Sequence, residues 1–379
     1  MKLTTAGESH GKALVAIIEG VPAHLTIDAE MINGELALRQ CGFGRGARQK
    51  IERDSVEILT GVRNRQTLGS PITLCIYNHD YVNWMDCMSP DECEEDLMVE
   101  KRLTRVRPGH ADLAGMLKYG QTDARNVLER ASARETAIRV AAGCVYRQYL
   151  SELGVEIGGY VKEVCGVKDG GMYAFNELYQ AKLSEVGMID KEADALAKKT
   201  IAALKKDGNT AGGVVEIRVS GLKSGFGSVM TYAEKLDAQL AQNLMSIQAV
   251  KGVEIGMGFA VGSYSGREVH DEIGYDETRG FYRITNRAGG IEGGMSNGEE
   301  VVVRVAMKPI PTLMKGLKTV DFVTKEPAVA SSERSDVCAI FALEVIAEAV
   351  VAETLANAVA KRLGGDTMEE VKERYEKLP

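Results

Sequence analysis

Strand-length apolar runs and helical periods alternate along this chain without a regular strand–helix–strand rhythm. Strands are predicted at 13–18, 55–61, 71–77, 155–167, 214–219 and 301–307. Helices are predicted at 27–38, at 190–206, at 232–245, and as a long apolar run after Cys338 that closes at about Leu363 before Gly364-Gly365. A parallel sheet needs regular helical crossovers. Without that rhythm the pattern reads as α/β or α+β with antiparallel sheet. No repeat, low-complexity tract or linker divides the 379 residues. Motif-bearing loops run from residue 5 to residue 336, so one site drawn from the whole length fits a single domain over 1–379 better than two.

A formal net charge of −8 argues against a general nucleic-acid binder, which makes local arginine clusters the informative exceptions. Seven cysteines are scattered with no C-x-x-C pair, and no histidine sits near Cys87 and Cys93 at a zinc spacing. The expectation is reduced thiols in a cytosolic protein with no metal centre. No apolar run approaches a membrane span, and Glu8, His10 and Glu19 interrupt any N-terminal targeting pattern.

The densest chemistry lies between Arg105 and Gly143. Pro108-Gly109 is a turn signal that sets His110 just after Arg105 and Arg107. Ser132-Ala-Arg-Glu135 fits a capping box, so a helix is expected to begin at Ser132, with Arg130 and Arg134 flanking a terminus suited to phosphate. A capped amphipathic helix with charged flanks explains the same residues equally well. Gly7-Glu-Ser-His-Gly11 can present His10 at close range or be an ordinary turn. Arg39-Gln-Cys-Gly-Phe-Gly-Arg-Gly-Ala-Arg48 is basic, and its glycines predict mobility; Arg39, Arg45 and Arg48 can each pair bidentately with phosphate or carboxylate. A second glycine-rich loop spans 289–298 and lacks dinucleotide spacing. Residues 80–100 are acidic and read as a solvated face. Asp336 reads either as the N-cap of the last long helix or as a carboxylate beside Arg334 poised as a base.

Taken together, GESHG at 7–11, RQCGFGRGAR at 39–48, RPGHAD at 107–112, ASARETAIRVAAG at 131–143, MSIQAVKGVEIG at 245–256, GGIEGGMSNGE at 289–299, KPIPT at 308–312 and RSD at 334–336 resemble the chorismate synthases. Each motif alone is weak; eight in the family's order, spanning essentially the whole chain, are specific. The resemblance implies an α+β fold, a β-α-β sandwich with antiparallel sheets around a helical layer, and a homotetramer. It implies conversion of 5-enolpyruvylshikimate 3-phosphate to chorismate and phosphate by an anti-1,4-elimination. Reduced FMN is required, without net redox change, and NADPH or a separate flavin reductase supplies the reducing equivalents.

By the same resemblance, His10 is the acid that meets the leaving phosphate. His110 is the proton donor to reduced flavin, and Asp336 assists proton removal. Flavin contacts fall on Arg130, Ala131, Ser132, Gln248, Ala249, Gly293, Lys308, Pro309, Ile310, Pro311, Thr312 and Arg334. Arg39, Arg45, Arg48, Arg107 and Arg134 form the anion clamp, with Arg39 and Arg45 also associated with NADPH. The chain differs from many members at Glu129-Arg-Ala-Ser132, where Gly-Arg-Ser-Ser is usual. It differs again at Arg334-Ser-Asp-Val337, where Arg-His-Asp-Pro is familiar. A flavin-dependent oxidoreductase and a non-catalytic binding protein for phosphorylated metabolites or RNA are the competing readings.

Overall fold

The computed structural model describes residues 1–46, 52–93, 95–331 and 336–379. Two antiparallel sheets enclose a helical layer. The first is formed by β1 (Lys2–Ala6), β2 (Ala13–Glu19), β3 (Glu57–Thr60) and β4 (Ile72–Tyr77) in the order β1-β2-β4-β3. The second is formed by β5 (Glu156–Val164), β6 (Val167–Lys168), β7 (Gly213–Ser220), β8 (Val250–Ile255) and β9 (Val301–Met307) in the order β8-β9-β7-β5-β6. Alternation drives the second sheet. In β9, Val301, Val303, Val305 and Met307 are buried while the residues between them are half-buried.

The helices that matter for the site are α1 (Ala29–Gln40), α2 (Asp112–Tyr119), α3 (Arg125–Ala131), α4 (Thr136–Ser151), α5 (Leu236–Met245) and α6 (Ile340–Leu363). Helix α4 packs on β2 and β4, and α6 packs on β5, β7 and β9; α1 and α5 fill the flanks. Helix α6 is apolar nearly all round, as a helix in a middle layer must be. Glycine sets the crossing of α4 and α6. A Cβ at Gly143 would lie 2.4 Å from Ala349 Cβ and 2.8 Å from its carbonyl oxygen, so the two backbones meet with nothing between them. One contiguous apolar core runs from Leu14 through α4 and α6 to Tyr375. Each fully buried Leu, Ile or Val in it contributes roughly 1.5–3 kcal/mol.

A satellite core of Val106, Met116, Ala124 and Leu128 sits under α2 and α3. It is closed by Gly115, where a Cβ would lie 2.2 Å from Val127. That small unit carries His110 and Glu129, so the site hangs partly on it.

Most predicted elements appear within a few residues of their expected bounds. The region around Ser132 differs. Helix α3 ends at Ala131, Ala133–Glu135 form a single 3-10 turn, and α4 begins only at Thr136. The capping box does not form: Ser132 Oγ accepts from the N–H of Arg134, and the Glu135 carboxylate is drawn to Thr5 and Gln248 instead. Asp336 is not an N-cap either, since α6 starts four residues later with Ala339 in that position. None of the helices among the described residues is long and apolar enough to cross a membrane.

Candidate active site

The first glycine loop joins β1 to β2 and carries His10. Gly7 has φ +115°, and a Cβ there would lie 2.4 Å from Ala13 O, so only glycine permits this turn. Asn78 Nδ2 donates to Glu8 O and Gly11 O and clips the loop shut. The histidine is then held by α3. Its own N–H donates to Glu129 Oε2 at 2.8 Å, the Ser9 N–H donates to Glu129 O, and Nδ1 lies 2.9 Å from Glu129 Oε1. Arg125, one helical turn before Glu129, donates to the same carboxylate oxygen at 3.1 Å. Burial alone would raise the Glu129 pKa, but hydrogen bonds and charge from His10, together with Arg125, hold it below the usual carboxylate range.

His110 is built the same way from different parts. Gly109 turns with φ +77°, and Asp112 opens α2 two residues after the histidine. Asp112 Oδ1 lies 2.5 Å from His110 Nδ1, and Arg107 spans both oxygens of that carboxylate at 2.8 and 3.1 Å. Burial pushes the Asp112 carboxyl up, but His110 and Arg107 outweigh it and hold the group far below its ordinary range. An ionised carboxylate only accepts, so these contacts favour the tautomer protonated on Nδ1 and leave Nε2 clear of the anchor; at His110, Arg107 Nη2 also stands 3.2 Å from Nδ1.

Both histidines line one cleft of about 450 Å³. Ala131, Ser132, Gln248, Ala249, Lys308, Ile310, Pro311, Thr312 and Asp336 line it too, together with Arg39, Arg45, Arg107 and Arg134. Its apolar floor is Ala342, Leu343 and Ile346 of α6. Among the predicted site residues, Arg130, Gly293 and Pro309 do not line it. Arg130 is half-exposed and donates to the carbonyls of Thr5 and Gly7. Gly293 sits in a tight hairpin between Glu292 and Met295, and the glycines around it serve close backbone packing: a Cβ on Gly290 would lie 2.5 Å from Glu300 O. Arg48 and Arg334 lie outside the described residues.

The arginines divide into two kinds. Arg107 is committed to Asp112 and Thr312. Arg39 bonds Thr136 Oγ1 and Ala133 O, and burial lowers its pKa to about 9, with Asp54 opposing that and Arg134 adding to it. Arg134 bonds Asn78 and Asp54. Arg45 pairs with Asp336 at 3.2 Å, whose other oxygen accepts the Gly46 N–H. Gly44 passes so close to Cys338 and Ile201 that a Cβ would lie 2.9–3.1 Å from their side chains. Close approach therefore demands that glycine, where the sequence had pointed to mobility.

Among the described residues, three buried polar atoms on cleft-lining side chains have no hydrogen-bond partner: Arg45 Nε, Arg134 Nη2 and Gln248 Oε1. The next residue, Ala249, is held at φ +68°, a strained setting for a residue with a Cβ. Arg134 Nη2 lies 3.7 Å from Glu52 Oε2, so its charge is part-met within the wall, which leaves Arg45 Nε and Gln248 Oε1 as the orphaned atoms.

Three residues at the site were missed as functional candidates. Asp112 and Glu129 appeared only as part of a charged span, yet they anchor the two histidines. Trp84, the sole tryptophan, lies in the acidic segment expected to be a solvated face, and its ring centroid is 4.1 Å from that of His10. A lone large aromatic among charges was the available signal.

Comparison with known proteins agrees with this geometry. A family model described as chorismate synthase matches residues 1–360. A chorismate synthase of Geobacter sulfurreducens is 53% identical over 387 residues, covering 99% of this chain and 98% of that protein. One from Geobacillus sp. (strain WCH70) is 51% identical, covering 100% and 98%. A solved structure described as a crystal structure of chorismate synthase superposes with a TM-score of 0.79 at 40% identity, covering 99% of this chain and 96% of the other. With two antiparallel sheets around a helical layer and a family match along nearly its whole length, the chain belongs to the chorismate synthase family.

Proposed function

We propose that the cleft binds reduced FMN beside 5-enolpyruvylshikimate 3-phosphate, with His10, His110 and Asp336 as its proton-handling groups. Family membership carries the reaction itself: FMN-dependent loss of phosphate from that substrate to give chorismate. The observation that carries the site assignment is the pair of histidines on one cleft, each fixed through Nδ1 by a carboxylate that an arginine also holds.

The substrate bears two carboxylates and a phosphate, and the guanidinium groups of Arg45 and Arg134 on the cleft wall suit such charges. Arg48 and Arg334 join them in this reading, and Arg39 and Arg107 serve by stiffening the wall. As the carbon–oxygen bond to phosphate breaks, negative charge grows on the leaving oxygens; His10 donates a proton there through Nε2. His110 would hold a proton on the cleft wall facing the bound flavin, and Asp336 takes up the proton removed from the substrate ring. Reduced FMN, when bound, would supply the electronic push that side chains lack, with no net redox change. Gln248, Ala249, Ala131, Ser132 and the Lys308–Thr312 turn hold it, with Arg130, Gly293 and Pro309 as flanking supports. Lys308 is tied in by its Nζ, which donates to Gly109 O beside His110.

The contiguous core supports reading residues 1–379 as one domain. The working state is a cytoplasmic homotetramer; exposed Phe259, Tyr275 and Phe281 offer apolar surface for such an assembly. Reducing equivalents come from NADPH at Arg39 and Arg45 or from a separate reductase, and NADPH consumption by the purified chain with FMN distinguishes the two.

Replacing His10 or His110 with Ala should slow anaerobic single turnover by roughly 10²–10⁴-fold while FMN affinity changes far less. Near-normal rates in either variant would remove that histidine from the mechanism.

A further inference from the structure

We propose that Trp84 is a positioning residue for His10, holding the plane of its imidazole; the proposal rests on the reading of His10 as the acid. Glu129 grips Nδ1 within the ring plane, which fixes a direction and leaves the tilt of the ring open. Trp84 closes that freedom. Its ring lies 4.1 Å from the imidazole at an interplanar angle of 31°. The other members of the cluster hold the indole. The Arg125 guanidinium lies 4.7 Å from the Trp84 ring centroid while bonding Glu129, and the Lys101 ammonium lies 5.2 Å from that centroid. The indole Nε1 donates to Asp80.

The surrounding chain shows why Trp84 is there. The short helices Met85–Met88 and Glu95–Lys101 bury no residue, so this segment adds little to the core. It is clipped at its two ends to the site instead. Glu52 accepts the His79 N–H at 2.9 Å, and Arg125 Nε donates to Lys101 O at 2.9 Å. A half-buried tryptophan in a segment without a core of its own, laid against His10, is placed to act on that ring.

The test is a double-mutant cycle in the full chain with reduced FMN and 5-enolpyruvylshikimate 3-phosphate. Trp84→Leu should lower kcat roughly 10–100-fold, the scale of a displaced catalytic group, with KM within about twofold. Trp84→Phe, which keeps an aromatic face, should restore most of the rate. In a His10→Ala background, Trp84→Leu should cost nothing further. A multiplicative loss in that background would overturn the proposal, as would Trp84→Phe as slow as Trp84→Leu. If His10→Ala alone turns over normally, the acid assignment fails by itself, which the single variant reads separately. FMN affinity and thermal melting of each variant identify a folding defect, and Trp84→Phe keeps the comparison open if Trp84→Leu does not fold.

Discussion

Asp112 Oδ1 lies 2.5 Å from His110 Nδ1, and Glu129 Oε1 stands in the same relation to His10 at 2.9 Å. Each carboxylate is also held by an arginine, Arg107 in one case and Arg125 in the other. The two arrangements come from different parts of the chain: one is local, from residues 107–112, and the other joins residues 10 and 129. Both leave Nε2 clear of the anchoring carboxylate.

Replacing Asp112 with Asn removes the ionised acceptor and lets an amide N–H face the ring, which favours the wrong tautomer. Turnover should fall roughly 10²-fold or more, with FMN affinity within a few-fold. Single-turnover kinetics and flavin titration separate the two effects. A variant with near-normal turnover would show that the anchor is ornamental.

The Glu129 carboxyl has a folded-state pKa below its unfolded value of about 4.5. A depressed acid contributes stability that is fully present above the unfolded value and is lost as pH falls through the folded one. Wild type should therefore exceed Glu129→Gln in stability by most at pH 6–7, and the gap should narrow in acid. Denaturant unfolding of both proteins at pH 7 and near pH 3.5 reads the gap; a gap that widens in acid would contradict the assignment.

A second buried cluster behaves oppositely. Glu344 and Glu348 of α6 share Lys182, Arg147 bonds Glu348 and Glu35, and so three carboxyls face two cations. Burial, then the neighbouring Glu348, raises the Glu344 pKa well above its ordinary value, whereas Lys182 and Arg147, against the cost of burial, hold that of Glu348 below it. A raised acid stabilises below its unfolded pKa, and that contribution is lost as pH rises through the folded value. Glu344→Gln should be tolerated and should gain on wild type as pH rises. Glu348→Gln, which strands two cations, should cost about 3–5 kcal/mol. Melting curves as a function of pH check both, and the reverse order of the two variants would refute the assignment.

Gly143→Ala should destabilise by about 1–3 kcal/mol, because the added methyl meets Ala349 across the crossing of α4 and α6. Thermal melting with activity per folded molecule checks it. An unchanged melting point would mean that the helices part at no cost.

Much of this molecule was legible from residues alone. The alternation in 301–307 and the period of 190–206 are local signals, and both elements formed. The motif loops marked by histidine and arginine did converge on one cleft. What was hidden is non-local. Glu129 reaches His10 across 119 positions, and no spacing rule links them. Ser132 and Glu135 satisfied a capping pattern, but Thr5 and Gln248 offered Glu135 better partners than its own backbone. The resemblance sets Arg107 in the anion clamp, yet the nearby Asp112 and the distant Thr312 occupy it. Trp84 sits among acidic residues, and its one local signal, a lone large aromatic in a charged stretch, is outweighed there by the charge pattern.

The central claim is that this cleft uses reduced FMN without consuming it. The direct measurement is anaerobic incubation of the protein with photoreduced FMN and excess 5-enolpyruvylshikimate 3-phosphate, following chorismate and flavin absorbance together. Chorismate should accumulate many-fold beyond the flavin present, with the flavin still reduced at the end. Chorismate formed only in step with flavin oxidation, or formed equally with oxidised FMN, would contradict it.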